Sequence, residues 1–137
     1  MNPRWQGAEG ERGSITAFVA VVAAALVMVA GMAYDGGQII TAQAAARSDA
    51  DKAARVGAQQ IDTTHLRSTG ETILDPGEAE AAALAFLDRS GASGTVVVNG
   101  PSITVTVTAI QPMQILPVSD RTIVVTETAT ATDEAAL

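Results

Sequence analysis

From Ile15 to Tyr34 the chain carries no charged side chain, and almost every position is apolar. A helix rising about 1.5 Å per residue over this run is roughly 30 Å long, the thickness of a bilayer's hydrocarbon core. Only a helix satisfies its own backbone in lipid without a partner strand, so the run predicts a membrane-spanning helix. Ile15, Phe18, Val22, Leu26, Val29 and Met32 are its expected anchor residues. Its length and lack of charge disfavour the core helix of a soluble protein. A cleaved signal peptide is the other alternative, because Gly31-Met32-Ala33 puts small residues where a signal peptidase cuts, just before Tyr34. The run exceeds the roughly 7 to 15 apolar residues of a signal sequence, and helical character continues past that point, which favours a retained anchor.

After the apolar run the pattern turns amphipathic. Asp35-Gly36-Gly37 either breaks the helix or loosens it, since two glycines cost about 2 kcal/mol of helix propensity relative to alanine. Ile39, Ala42, Ala46, Ala50, Ala53, Gly57 and Ile61 then recur in steps of three and four, which puts them on one helical face. The side chains are mostly small, so whatever packs there approaches closely. Two partners fit this face: the chain's own downstream domain, or a helix of another subunit. Asp51 and Arg55 are spaced for an i,i+4 ion pair on the wet side.

Residues 62–74 lack periodicity and read as a loop, with His65, the sole histidine, exposed in it. A second helix is announced by Asp75 as cap, Pro76 in the first turn and Glu78 completing a capping box; it should stop near Gly91. Ala79, Ala82, Ala83, Phe86 and Leu87 form its apolar face. The period then changes to two. Residues 95–98 are β-branched, Asn99-Gly100-Pro101 is a turn, and 102–110 alternates Ile103, Val105, Val107 against Thr104, Thr106, Thr108. Residues 111–117 hold two prolines and read as a loop or irregular edge, and 121–132 as a third strand. The expected fold class is α+β: a long N-terminal membrane-spanning helix continuing as a stalk, then a short helix on a three-stranded antiparallel sheet. The expected organisation is a tail at 1–14, a span at 15–34, a helical stalk at 35–61, a small α+β head at 62–132, and a frayed end at 133–137. Trp5 suits a membrane interface as well as it suits a free tail.

Charge sharpens this picture. The net charge is -7, and the excess lies after Ile61, where ten acids face only Arg67, Arg89 and Arg121. An acidic head repels phosphate backbones and anionic lipid, so nucleic acid is not an expected partner. With no cysteine there is no disulfide or thiolate metal site. The acids of the second helix lack the spacing of a calcium loop, and the lone histidine lacks a second ligand. One histidine, one lysine and no cysteine leave no nucleophile, base and orienter in a recognisable pattern; Ser68 near His65 has no supporting motif. No enzyme activity, cofactor, metal or small-molecule substrate is expected.

Three stretches carry a family resemblance: Arg12-Gly13-Ser14 before the apolar run, Tyr34-Asp35-Gly36-Gly37 after it, and residues 53–59 of the stalk. With Leu74-Asp75-Pro76 and the alanine-rich helix that follows, residues 12–91 resemble TadE/TadG-like proteins of the actinobacterial tight-adherence (Flp) pilus-assembly system, relatives of type IV pilins and pseudopilins. The resemblance implies a pilin-like head and a minor pilin or pseudopilin role. It also implies an N-terminus in the cytoplasm, a head outside the membrane or in a surface filament, and partners among other pilus or secretion-machine subunits. Arg12 before the run and Asp35 after it agree with that orientation. One departure is clear. Pilins are cut after a glycine followed at the fifth position by glutamate, whereas Gly13 is followed there by Phe18, Gly10 by Ile15 and Gly7 by Arg12. An uncut, accessory or anchoring subunit is therefore expected rather than a major filament subunit. The expected location is the cytoplasmic membrane, crossed once.

Overall fold

A computed structural model describes residues 9–131 of the chain. Its elements are α1 (Glu9–Ala58), α2 (Thr63–Thr69), α3 (Pro76–Ser90), β1 (Ser93–Asn99), β2 (Ser102–Gln111) and β3 (Arg121–Thr130). The class is α+β, with one long helix that leaves the domain as a free apolar rod. Trp5 and the end at 133–137 lie outside the described residues. Residues 9–14, expected as tail, are already helical in α1.

α1 passes through Gly36-Gly37 without a break. The glycine pair weakens the helix locally, but the head touches α1 on both sides of it, at Gly31 and Asp35 below and from Ile39 upward. Those contacts hold the helix on either side of the pair, so propensity loses to tertiary packing. From Ile39 onward α1 is built into the head rather than standing clear of it.

The sheet is an antiparallel meander in the order β1-β2-β3. Alternation fixes which face is buried: Ile103, Val105 and Val107 of β2, and Ile123 and Val125 of β3, point to the helices. The opposite face carries a ladder of hydroxyl pairs, Ser102–Thr130, Thr104–Thr128 and Thr106–Thr126, at 2.9–3.0 Å. Each such cross-strand pair contributes roughly 0.2–1 kcal/mol. Gly100, with φ +58°, and Pro101 close the β1–β2 hairpin, with Asn99 opposite Ser102. A glycine at the first of two loop positions matches the right-handed twist of the strands.

α3 starts where its cap predicts. Asp75 Oδ1 accepts the Glu78 N–H at 3.0 Å, and Gly91, at φ +75°, ends the helix. The Asp75 N–H itself is donated to the Gln60 carbonyl at 2.8 Å, so this end of α3 is tied to the chain leaving α1. Both helices lie on the same face of the sheet, and α1 also packs on α3. Ala79, Ala83 and Leu87 of α3 are buried, Ala82 and Phe86 half-buried.

The loop expected at 62–74 contains α2. Asp62 caps it by accepting from Thr64 N (3.0 Å) and His65 N (2.9 Å), and Gly70, at φ +77°, terminates it. Seven residues are too few to display a period and none is buried, which is why the pattern was silent. The Asp and Gly at its two ends were the available signals.

Gly57 marks the closest approach of α1 to the rest. A Cβ there would collide with Ile103 Cδ1 and stand 2.9 Å from the Ala79 carbonyl oxygen. At Gly37 a Cβ would meet nothing within 4 Å. Gly57→Ala is therefore expected to lower stability by about 1–3 kcal/mol through overpacking. Gly37→Ala should raise it by up to about 1 kcal/mol through helix propensity. Denaturant unfolding of the two variants in the same detergent checks the opposite signs.

Candidate functional site

The small-residue stripe of α1 runs further towards the N-terminus than Ile39. Gly31 and Asp35 precede it in steps of four, share its face, and are both buried. What covers them is the β2–β3 connection, residues 112–120, which folds back along the helix. Asp35 is the one buried charged residue among the described residues, at 2% exposure.

Its carboxylate is held by three consecutive backbone groups. Gln114 N–H donates to Oδ1 at 3.2 Å, while Ile115 N–H (3.2 Å) and Leu116 N–H (2.8 Å) donate to Oδ2. Successive N–H groups turned inwards form a small concave site for an anion, here filled by the chain's own side chain. The Leu116 N–H does most to hold the Asp35 carboxyl below its ordinary value of 3.8; burial opposes it, and the Gln114 and Ile115 N–H groups add to it. Four residues earlier, Gly31 makes room for Ile115: a Cβ at that position would lie 2.6 Å from Ile115 Cγ2. A carboxylate and a missing side chain thus lock one loop at one height on α1.

The remaining stripe positions are occupied from within the chain. Ala46, Ala50, Ala53 and Gly57 are buried, and Ile39 and Ala42 are half-buried against the same cluster. Ile61 lies beyond the end of α1, where it forms a bridge with Leu74 instead of extending the helical face. This face is therefore covered by the head, and a contact of α1 with another subunit has to use its other faces. On one of those, Arg55 and Asp51 pair at 3.0 Å, and Arg47 reaches Glu127 of β3 at 3.1 Å. Both pairs are solvent-exposed and each is worth about 1 kcal/mol at most.

The anchor positions have no partner in the head. Ile15, Phe18, Val22, Leu26, Val29 and Met32 are all exposed, as are Val19, Val21, Val27 and Met28 on the other sides of the rod. The helix is long and apolar enough to cross a membrane. An apolar surface of this size does not stay in water.

Chemically reactive groups are sparse. His65 is half-buried in α2, and its Nε2 lies 3.5 Å from Glu71 Oε2, an ion pair only when the ring is protonated. The Ser68 hydroxyl donates to the His65 carbonyl at 2.9 Å rather than facing the imidazole. Among the described residues no group of three or more His, Asp or Glu is placed to hold a metal. A cleft of about 570 Å³ lies between Ala42, Ala45, Ala46 and Asp49 of α1, the end of α3, and residues 107–110; Asp49 is its single ionisable group. The chain matches no family model, no curated protein and no solved structure.

From spacing and charge alone, Asp35 marks the membrane edge and Gly31 belongs to a cleavage site. Extending the stripe backwards by two steps of four would have placed both on the packed face. Nothing in the sequence says which backbone amides meet Asp35, because that contact spans about eighty positions.

Removing the carboxylate should release the loop. In Asp35→Ala, amide exchange at Gln114, Ile115 and Leu116 is expected to quicken about tenfold or more, from the loss of charge-assisted hydrogen bonds. Exchange in β2 should not change. Because the folded value of Asp35 is lowered, its contribution is fully present above the ordinary carboxyl value of 3.8 and is lost as pH falls through the folded value. The loop should therefore remain docked throughout the neutral range. Hydrogen exchange read by mass spectrometry at matched intrinsic rates checks both expectations.

Proposed function

We propose that this chain is a membrane-anchored structural or accessory subunit of a cell-envelope filament or secretion machine. It is of the minor-pilin or pseudopilin kind found in tight-adherence (Flp) pilus systems. The observation that carries this reading is α1 itself: fifty uninterrupted helical residues, with an uncharged run from Ile15 whose large apolar side chains are exposed, and a second part built into a small α+β head. Such a helix transmits the position of a membrane segment rigidly to a domain outside it. The uncovered half is available to lipid or to neighbouring helices, and the head supplies spacing or contact at the surface. The proposed orientation puts the N-terminus in the cytoplasm and the head outside, in line with Arg12 and Asp35 at the two borders of the apolar run. Without a glutamate at the fifth position after a glycine, the proposed subunit stays uncut by prepilin peptidase.

A second reading has one observation in its favour. The head's core cluster begins at Ile39, so cleavage after Ala33 would leave that core whole. The product would be a small exported binding module.

One measurement separates the two. Intact mass of the protein recovered from membranes of the producing cell is expected to correspond to the chain with its apolar run; a mature chain starting at Tyr34 overturns the anchored reading. Single cysteines at Phe18, Val22 and Ile40, all on uncovered parts of α1, should then crosslink to an envelope partner. An anchored chain with no crosslink from any of these positions removes the assembly role.

A further inference from the structure

Among the described residues the β2–β3 loop meets the apolar run at Gly31, and that segment has the composition of something that lies in lipid rather than in water. We propose that this loop is a second membrane contact: residues 112–118 rest in the interfacial layer of the bilayer that α1 crosses, on the side where the head lies. The inference rests on the anchored reading of α1 and adds a lipid-facing surface to the head.

Height is the first argument. Along α1, Gly31 lies roughly 24 Å and Asp35 roughly 30 Å beyond Ile15, at about 1.5 Å per residue. Ile115 is packed over Gly31, and Leu116 is bonded to Asp35. The loop therefore sits at the far border of a hydrocarbon core about 30 Å thick. At the same height Tyr34 is exposed on the helix, a position that aromatic rings favour at membrane interfaces.

The second argument is polarity. Residues 111–119 carry no charge, although the head as a whole is acidic. Ile115 and Val118 are 49% and 59% exposed. The outer face of the sheet changes in the same direction. At the far end it shows the Ser102–Thr130 and Thr104–Thr128 hydroxyl pairs; near the loop it shows exposed Ile110 and Val124. One isolated exposed Val97 departs from this gradient.

The third argument is the backbone. Irregular chain is expensive in a low-dielectric layer because its N–H groups lose water. Of the seven residues 112–118, Pro112 and Pro117 have no N–H, and four of the other five, all but Met113, have theirs bonded within the chain. Those of Gln114, Ile115 and Leu116 are bonded to Asp35, and that of Val118 to the Leu116 carbonyl at 2.8 Å. Asp35 thus closes three of the loop's donors against its own helix, while Ile115 and Val118 keep about half of their surface exposed.

The chain has no cysteine, so single labels are direct. Polarity-sensitive fluorophores are placed one at a time at Val118→Cys, Ile115→Cys, Val22→Cys and Thr128→Cys in the full chain, reconstituted in phosphatidylcholine vesicles. Quenching is compared for nitroxides carried near the headgroup and deep in the acyl chain. Labels at 118 and 115 should be quenched severalfold more than at 128, most by the shallow nitroxide, and the label at 22 most by the deep one. Val118 does not pack on Gly31, so it reports even where a label at 115 displaces the loop. If 22 is quenched while 118 is quenched no more than 128, the loop contact is overturned and the anchor stands. If 22 itself escapes quenching, the anchor fails and the loop contact with it. A label at 118 shielded from both nitroxides, together with Val118→Cys disulfides between copies, overturns the lipid assignment in favour of a subunit contact.

Discussion

The whole head depends on how closely α1 can be approached along one stripe. Gly31, Ala42, Ala46, Ala50, Ala53 and Gly57 offer a hydrogen or a methyl group where most helices offer a branched side chain. Large groups from the other elements fill the space: Ile115 over Gly31, Ile103 over Gly57, with Leu74, Leu87, Val105 and Val107 buried around them. Small on one side and large on the other gives dense packing with very few aromatic residues. It also explains how a domain of modest size gains enough buried surface: it uses one face of a helix that continues beyond the head.

Asp35 translates that packing into a position along the helix axis. A stripe of equivalent alanines would let a sheet slide by one turn at small cost. A carboxylate that accepts three backbone N–H groups from a loop, next to a glycine that admits one particular isoleucine, fits at a single register. The distance between the apolar run and the head is thereby set by chemistry rather than by the length of a flexible linker. A fixed distance of this kind is what an anchored spacer or assembly subunit needs, and Gly36-Gly37 lies inside unbroken helix between the contacts that fix it.

Much of the secondary structure was legible for local reasons. The threonine and valine alternation of β2 announced both its strand and its buried face, and Asp75, Pro76 and Gly91 marked the limits of α3. α2 was missed because seven residues cannot show a period, though Asp62 and Gly70 punctuate it. The glycine pair was legible as a weakness, but its outcome was not, since contacts on either side of it decide. The candidate site was legible only in half: the small-residue stripe could be read, whereas the loop that completes it could not.

By itself, the sequence determined that an uncharged run the length of a membrane precedes an amphipathic helix and a small α+β domain. Length, charge and period are local properties, and they act before any long-range contact forms. Only the tertiary structure decided that the small-residue stripe is covered by the chain's own head, that α1 stays helical through its glycines, and that Asp35 is buried. Each of those outcomes depends on groups brought together from about twenty to eighty positions apart, Gly57 with Ala79 and Asp35 with Ile115. Contacts at that separation follow from how the sheet lies on the helices, and no spacing along the chain records it.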